Sequence, residues 1–316
     1  MKGLLLYNES NCDSVRVLLE EFVKQTSSKK ILYNTSKGPI DFDSLYNNIK
    51  LAIKEDKYDF IASWYDEKTL EALKPIGDLG LPVIIETGDC WSRLFNDRCK
   101  NLINKHAANI ILVVNRCSMP AFKDYFKSDN LKFIWAPDGI DPNVMKDYNE
   151  ERIYDVGFSG KFSSYTDRKL IDAFLNRLNE RDIISYRRFE RTPEWEDYAR
   201  NLNRCWISYS SVQNNDNLYY KDIYIGNCFG KTLEIPGCNA ALITRKFGDA
   251  DIMGFKDGEN CIMYEKINEF PKKLMYYLDN RESLLKLINK GYELVHREHT
   301  IENHMKRTVE NISKVL

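Results

Sequence analysis

Short apolar runs alternate with helix-length amphipathic segments along most of this 316-residue chain, and this alternation limits the possible folds most strongly. The runs are apolar at nearly every position, as in strands that are buried on both faces of a sheet. The first two runs are GLLLYN (3–8) and KILYN (30–34), and helical patterns follow them at 14–25 and 42–55. Strands that alternate with helices in this way build parallel sheets with helices on both faces. The sequence therefore predicts an α/β protein.

One segment, at residues 136–154, interrupts the alternation. Its sequence, APDGIDPNVMKDYNEERIY, combines prolines, a glycine and carboxylates, which is typical of a connection between domains. We therefore predict two doubly wound α/β domains, at 1–148 and 149–300, with a cleft between them. A closing helix at 301–316 is expected to pack back on the first domain. In open sheets of this kind, ligands bind beyond the carboxyl ends of the strands.

The composition argues against several classes of protein. Hydrophobic residues make up 43% of the chain and charged residues 29%, which is ordinary for a globular protein. A formal net charge of -1 gives no overall attraction to nucleic acids or membranes. No stretch approaches the ~20 apolar residues of a membrane span. The eight cysteines form no C-x-x-C pair and are interpreted as reduced thiols, so we expect a cytoplasmic protein.

The stretch GFSGKFSSYTDRK (157–169) is the first candidate site, because it joins a predicted strand to the start of a helix. The free N–H groups and the dipole at a helix start favour an anion, and the cations in the stretch suit a diphosphate. A simple connecting loop capped by Asp167 is the alternative. The stretch matches neither the Walker loop nor the G-x-G-x-x-G fingerprint, which argues against a hydride-transfer enzyme. The candidate residues are Gly160, Lys161, Ser163, Ser164 and Arg168.

The stretch KTLEIPGCNAALIT (231–244) is the second candidate, with a helical start that leads into a buried strand. Glu234 lies in the first turn, near the positive end of the helix dipole, and is expected to stay ionised. An ionised carboxylate accepts two hydrogen bonds at once and suits a vicinal diol such as a ribose. Lys231 lies one turn earlier on the same face and can reach a phosphate on that ribose, while Asn239 suits a left-handed position after the helix. A solvent-exposed Glu–Lys pair explains the spacing equally well.

With its preceding glycine, this second stretch resembles the R-x-F-E-x-x-A-C-G-x-x-L-L-T signature of GT-B glycosyltransferases, especially the CgeB-like spore-maturation type and the wider retaining family 4. YDVGFSGKFSSYTDRKLIDAFL resembles the start of that family's second domain, and IWAPDGIDPNVM resembles its linker. The closing segment through EHT is also similar, so the resemblance covers residues 133–312 in consistent order. In the first domain, only the alternation and LPVIIETGDC match.

The resemblance implies a GT-B fold, in which two Rossmann-like domains face each other across a cleft. The first would be the acceptor-side domain and the second the nucleotide-sugar-binding domain. Glu234 would bind the ribose of the nucleotide-sugar, and Asp89, after the fourth strand, would face the cleft from the first domain. The residues implied in catalysis are Asp89, Lys231 and Arg168. The residues implied in nucleotide-sugar binding are Gly160, Lys161, Ser163, Lys231, Thr232 and Glu234.

The sequence departs from the family pattern at three positions. Lys231 stands where the narrower family often has arginine, so a guanidinium fork becomes a point charge. Asn239 stands where glycine is usual. The wider family has a second glutamate eight residues before Glu234, and this chain has Gly226 there, so the acid that contacts the sugar is not identified. Asp222 is one candidate substitute.

The resemblance predicts transfer of a hexose from a nucleoside-diphosphate sugar, with a UDP-sugar favoured, to a carbohydrate or other hydroxyl acceptor. It implies retention of the anomeric configuration without a cofactor or bound metal, since cations and a helix start would stabilise the leaving diphosphate. One alternative is a GT-B enzyme that glycosylates DNA, which the basic patch YRRFER (186–191) would serve. Another is a non-catalytic nucleotide-sugar-binding module, which the missing acid at Gly226 would suit.

The segment HREHTIENH places His296, His299 and His304 close together in the sequence. Such spacing invites comparison with a metal site, but zinc needs a closed set of ligands in the right geometry. A structural role at a helix junction, which the resemblance implies for EHT, is the favoured interpretation.

Overall fold

The computed structural model describes most of the chain. The described residues are 1–8, 13–34, 40–64, 67–86, 97–160, 166–190, 194–211, 219–220, 223–224 and 230–316.

The chain forms two compact units. Unit 1 consists of Met1–Pro137 together with Ile301–Leu316, and unit 2 consists of Asp138–Thr300. Each unit contains its own parallel sheet and its own hydrophobic core. The two parallel sheets confirm the predicted α/β class.

Residues 138–148, which the sequence analysis placed in the first domain, belong to unit 2. The backbone N–H of Tyr148 donates to Asn203 Oδ1 at 2.6 Å, and Asn239 Nδ2 donates to Asp147 Oδ2 at 2.7 Å. Proline and glycine mark a connecting segment in a sequence, but they do not indicate the side on which its polar groups find partners.

In unit 1, helices and parallel strands alternate as predicted. Its sheet has six strands in the order β2-β1-β3-β4-β5-β6, and every neighbouring pair is parallel. The elements before residue 138 are β1 (Gly3–Asn8), α1 (Asp13–Thr26), β2 (Lys29–Tyr33), α2 (Phe42–Glu55), β3 (Phe60–Trp64), α3 (Glu67–Ala72), β4 (Val83–Glu86), α4 (Asp97–Lys105), β5 (Ile110–Val113), α5 (Met119–Phe126) and β6 (Lys132–Trp135).

Unit 2 has a five-stranded parallel sheet in the order β13-β12-β9-β7-β8, and a short antiparallel pair, β10 and β11. Its elements are β7 (Tyr154–Ser159), α6 (Thr166–Asn179), β8 (Tyr186–Phe189), α7 (Trp195–Asn203), β9 (Cys205–Tyr209), β10 (Tyr219–Tyr220), β11 (Ile223–Tyr224), α8 (Lys231–Gly237), β12 (Ala241–Arg245), β13 (Ile262–Tyr264), α9 (Phe270–Asp279) and α10 (Arg281–Glu298).

The helix after unit 2, α11 (Ile301–Ser313), is part of unit 1. Its apolar residues Met305 and Ile312 are buried in the same cluster as Leu19 and Phe22 of α1. The burial of this face explains why the helix lies in the core of unit 1, since an amphipathic helix is stabilised mainly through its apolar stripe.

The core of unit 2 is built from aromatic and branched side chains of its sheet and covering helices. The rings of Phe158 and Tyr209 stack with centroids 4.3 Å apart, which joins the central strands β7 and β9. Phe270 of α9 meets Tyr209 and Tyr264 edge to face. These contacts fix the carboxyl ends of β7 and β9 next to each other.

The path of the chain through this sheet defines a topological switch point. From β7 the chain moves to β8 on one side, and it then returns to the other side of β7 to form β9. The crossover connections therefore diverge at the carboxyl ends of β7 and β9. Open α/β sheets bind ligands at such a point.

Within the described parts of the chain, no helix combines the length and the apolar character needed to cross a membrane.

Candidate functional site

The carboxyl end of β7 turns sharply at Gly160, where φ is +149°. Residues other than glycine rarely adopt this backbone conformation, so glycine suits the position. A Cβ at Gly160 would lie 3.1 Å from Phe158 Cζ and 3.2 Å from Lys231 Cε. Gly160 therefore lets the lysine of α8 approach the end of β7 closely.

Arg168 lies in the first turn of α6 and is 5% exposed. Its Nε donates a hydrogen bond to the hydroxyl of Ser211, two residues after β9, at 2.8 Å. Its guanidinium carbon lies 5.5 Å from the centroid of the Phe158 ring, which is within range of a cation–π contact. Arg168 thus places a permanent positive charge between the ends of β7 and β9.

Lys231 is the first residue of α8, and its ammonium points into the same region. Its Nζ donates to the hydroxyl of Tyr198 at 3.0 Å and lies 5.9 Å from the centroid of Phe158. Burial lowers the pKa of this ammonium, the nearby charge of Glu234 raises it, and Arg168 lowers it further. The site therefore holds a desolvated lysine whose charge is sensitive to its surroundings.

Glu234 lies one turn further along α8, on the same face as Lys231. Its Oε2 accepts a hydrogen bond from the Tyr198 hydroxyl at 2.6 Å. Burial and the adjacent Glu234 carboxylate raise the pKa of Tyr198 well above its usual value, so this hydroxyl remains a donor. A Cβ at Gly230 would lie 2.7 Å from Glu234 Oε1, and the glycine keeps that space clear.

These contacts gather two cations and one carboxylate at the switch point. Arg168 and Lys231 share the Phe158 ring, and their mutual repulsion lowers the pKa of Lys231. An anion placed between such like charges would remove that repulsion. The neighbouring carboxylate can accept hydrogen bonds from hydroxyl groups on the same ligand. The arrangement is suited to an anion that carries hydroxyls close to its charge.

The structure brings together Gly160, Arg168, Lys231 and Glu234 from the residues that the sequence predicted for the site. Thr232 is only 2% exposed, which leaves its side chain little surface for a ligand, so we assign it no contact. Six further candidates from the sequence lie outside the described parts of the chain, namely Asp89, Lys161, Ser163, Ser164, Asp222 and Gly226.

Asp167 does not serve as a simple helix cap. It lies inside α6, is 6% exposed, and its Oδ2 is 3.7 Å from Arg245 Nη1 at the end of β12. This ion pair ties the start of α6 to the sheet and supports the orientation of the neighbouring Arg168.

Three contributors to the site were missed by the sequence analysis: Phe158, Tyr198 and Ser211. Each is unremarkable in the sequence, since Phe158 belongs to an apolar run and Ser211 only follows a strand. Tyr198 gave one signal, its spacing of three from Trp195, whose ring it meets edge to face at 5.8 Å. That spacing indicates a shared helix face but not the partner of the face.

Asn239 has a φ of +56°, which confirms its predicted left-handed position after α8. Its carbonyl oxygen accepts a hydrogen bond from Arg152 Nη2 at 2.8 Å. The end of α8 is therefore held by the segment that precedes β7.

The three clustered histidines contact separate backbone carbonyls. Among the described residues, no group of three or more His, Cys, Asp or Glu side chains is arranged to hold a metal ion. The contacts are His296 Nε2 with Gly237 O at 3.0 Å, His299 Nε2 with Met253 O at 2.8 Å, and His304 Nδ1 with Pro137 O at 3.1 Å. These bonds give the histidines structural roles.

The basic patch lies partly on β8, where Arg187 and Arg188 are exposed. Residues 191–193 of this neighbourhood lie outside the described part of the chain. The exposed arginines fit the simpler interpretation of a solvent-facing strand.

Comparison with known proteins finds one family model that matches part of the chain, and solved structures that share its fold. Residues 168–310, which begin at Arg168 and include all of α8, match a family model described as "Glycosyl transferase-like". No curated protein matches the sequence.

Solved structures resemble the whole chain. The HepE protein of Anabaena, in a crystal structure with UDP and glucose, has a TM-score of 0.66 and 12% sequence identity, covering 99% of this chain and 100% of its own. Another HepE crystal structure contains UDP-glucose. Sucrose-phosphate synthase from Thermosynechococcus elongatus has a TM-score of 0.63 and 10% identity, covering 99% of this chain and 98% of its own. A glycosyltransferase from Rickettsia africae has a TM-score of 0.63 and 9% identity, with the same coverage.

At these identities the likeness establishes the fold. The two parallel-sheet units match the GT-B glycosyltransferase structures, which confirms the predicted fold.

Proposed function

We propose that the protein is a glycosyltransferase that transfers a hexose from a UDP-sugar to a hydroxyl acceptor, with retention of the anomeric configuration. The match of residues 168–310 to a glycosyl transferase-like family and the GT-B fold support this proposal. The HepE structures contain UDP or UDP-glucose, which favours uridine as the nucleoside of the donor. Within the wider family, the motif around Glu234 favours a CgeB-like type.

The observation that carries the proposal is the placement of Arg168, Lys231 and Glu234 at one switch point. The two cations share the Phe158 ring, and the carboxylate is one helical turn from the lysine. A nucleoside diphosphate carries its charge and its ribose hydroxyls next to each other, which matches this pattern. We assign the diphosphate to the cations and the ribose to Glu234.

The proposed reaction needs stabilisation of the diphosphate as it leaves the sugar. Preorganised positive groups stabilise charge that develops in a transition state, and Arg168 and Lys231 would serve in this way. Arg168 keeps its charge at every working pH, whereas the charge of Lys231 depends on a pKa that burial has lowered. We propose that these cations replace a metal ion, and that Asp89 of the acceptor-side domain takes part in catalysis.

Glu234→Ala tests the ribose assignment. We expect UDP to bind roughly 10- to 150-fold more weakly, because hydrogen bonds to a charged acceptor contribute about 1.5–3 kcal/mol. Inorganic pyrophosphate, which has no ribose, should show no comparable loss of affinity. Calorimetric titration of wild type and variant with both ligands measures the difference.

Glu282→Ala is a suitable control, since it removes an exposed glutamate that pairs with Lys286 on α10. It should leave the affinity for UDP unchanged. If Glu234→Ala bound UDP as tightly as this control, the ribose assignment would be wrong.

A non-catalytic nucleotide-sugar-binding module is the second candidate, and Gly226 favours it because the wider family has a glutamate there. Release of UDP from a UDP-sugar, measured with and without candidate acceptors, separates the two functions. An enzyme should release UDP by transfer or slow hydrolysis, whereas a binding module should return its ligand intact.

A further inference from the structure

We propose that the Tyr198 hydroxyl is a positioning group that keeps Lys231 and Glu234 apart, so that the ammonium and the carboxylate each remain available to a nucleoside diphosphate. The inference rests on the proposed function for the identity of the ligand. The role of Tyr198 in the ligand-free site does not depend on that identity.

Lys231 and Glu234 are three residues apart on α8, a spacing at which opposite charges commonly pair. Among the described ion pairs, however, none joins these two residues. The Tyr198 oxygen instead accepts from Lys231 Nζ at 3.0 Å and donates to Glu234 Oε2 at 2.6 Å. A tyrosine hydroxyl has one proton to donate and lone pairs to accept with, so it can bridge the two charges.

Tyr198 is held in this position by the anchoring of α7. Arg200 Nη1 pairs with Glu150 at 2.9 Å, and its guanidinium stacks 4.3 Å from the centroid of Tyr148. Asn203 at the end of the helix bonds to the backbone of Tyr148 and of Lys146. These contacts join α7 to the segment before β7, which also holds the end of α8. The hydroxyl therefore meets Lys231 and Glu234 from a neighbouring helix, α7, and not from α8 itself.

Removing the hydroxyl would take a hydrogen-bond partner from both the Lys231 ammonium and the Glu234 carboxylate. Buried charges that lose a hydrogen-bonding partner are strongly destabilising, and a direct pair is the nearest relief for both. In that pair the ammonium and carboxylate would satisfy each other and be less available to a ligand. The site would then lose affinity although no charge had been removed.

The pKa of Lys231 distinguishes the arrangement bridged by Tyr198 from a direct ion pair with Glu234. Within the part of the chain that the structure describes, the groups that face its ammonium are Glu234 on α8, Tyr198 on α7, Arg168 on α6 and the Phe158 ring on β7. Burial and Arg168 lower the pKa of Lys231 in the present arrangement. A direct ion pair with Glu234 would raise that pKa, because an adjacent opposite charge favours the protonated form.

Tyr198→Phe is the test, because it deletes the hydroxyl and keeps the ring. The Lys231 signal is followed by NMR across alkaline pH in ligand-free protein labelled with ¹³C-lysine, and Lys231→Arg assigns the signal. We expect the pKa of Lys231 to rise in Tyr198→Phe and UDP to bind at least tenfold more weakly. Tyr148→Phe is the control, because it removes a hydroxyl that donates to Val144 O and lies beside α7. It should change neither the pKa of Lys231 nor the affinity for UDP.

A second variant distinguishes ion pairing from simple exposure of the lysine to water, which would also raise its pKa. In the double variant Tyr198→Phe with Glu234→Gln, the pKa of Lys231 should be no higher than in Glu234→Gln alone. A rise that persisted without the carboxylate would overturn the proposal, as would an unchanged Lys231 titration in Tyr198→Phe. Failure of wild-type protein to bind UDP would instead refute the proposed function, and the titration would still decide the role of Tyr198.

Discussion

The structure describes two cations at the site, Arg168 and Lys231, and they are held in different ways. Arg168 is 5% exposed, bonded to Ser211 and placed against Phe158, in a helix start that Asp167 ties to β12. Lys231 is partly buried and has the Tyr198 hydroxyl as its described hydrogen-bond partner. The first cation is part of the framework of unit 2, whereas the second lies against that framework on a flexible four-carbon stem.

This difference gives the two cations different roles in the stability of the fold and in ligand binding. A guanidinium offers several fixed donors and stays protonated, so it can stabilise the fold and attract an anion at the same time. A desolvated ammonium weakens the fold by its burial and is retained where a ligand needs its charge. We therefore expect the loss of Arg168 to affect both stability and binding, and the loss of Lys231 to affect mainly binding.

Arg168→Ala should give the largest effect. It leaves the buried Ser211 hydroxyl without this donor and removes the cation from the Phe158 ring. We therefore expect the free energy of unfolding to fall by about 2–4 kcal/mol. The affinity for UDP should fall by about 100-fold, because a guanidinium binds phosphate through more than one hydrogen bond. Urea unfolding and UDP titration measure the two changes. Arg187→Ala, on the exposed strand β8, is the control and should be close to neutral.

Lys231→Ala should weaken UDP binding by roughly 10- to 30-fold, through the loss of one charge-assisted bond. Its free energy of unfolding should change by less than about 1 kcal/mol, because the lost bond to Tyr198 is offset by removal of a desolvated charge. The same two measurements apply. A loss of stability as large as that of Arg168→Ala would show that both cations belong to the framework.

The pH dependence should distinguish the cations further. Since the folded pKa of Lys231 is lowered from 10.5, its ammonium loses its proton at a lower pH in the folded protein than in the unfolded chain. Affinity for UDP should therefore fall as the pH rises through the folded pKa. Between that value and 10.5 the unfolded chain binds more protons, so the contribution of Lys231 to stability rises with pH.

Lys231→Arg provides the matched comparison, because arginine stays protonated throughout this range. UDP titrations from about pH 7 to 10 should show a decline of several-fold in wild type and a smaller one in the variant. Identical profiles would mean that Lys231 does not supply the titrating charge.

Chelation should give the smallest effect. Transfer, or hydrolysis of the donor, measured with excess EDTA should stay within a few-fold of the untreated rate, because Arg168 and Lys231 stabilise the diphosphate in our proposal. Complete loss of activity that manganese restores would show that the cations are insufficient. The site would then have to be assigned around acidic residues.

The sequence predicted the framework of the site better than its contacts. Helix α2 has the predicted bounds, Phe42–Glu55, because its apolar spacing and the Asp41 cap are local features. The apolar runs of unit 2 likewise predicted β7 and β9, although β9 ends at Tyr209 and the predicted strand continued to 211. Ser211 instead turns its hydroxyl to Arg168, a partner 43 residues away in the chain.

Charged residues at the starts of helices were also found from the sequence, since the chemistry of a helix start depends on neighbours in the chain. Tyr198 could not be found in this way. Its bond to Glu234 joins positions 36 residues apart, and it depends on how α7 packs beside α8. Such packing follows from the summed contacts of the core, which periodicity alone does not specify.

The late position of α11 in the sequence affects when the core of unit 1 can be completed during synthesis. The ribosome adds residues 301–313 only after all of unit 2, yet Met305 and Ile312 complete the core around Leu19 and Phe22 in unit 1. Until those residues emerge, the apolar surface of α1 has no cover from this helix, while unit 2 already has its complete sequence. Unit 1 is thus expected to complete its core only after the whole sequence of unit 2 has been made.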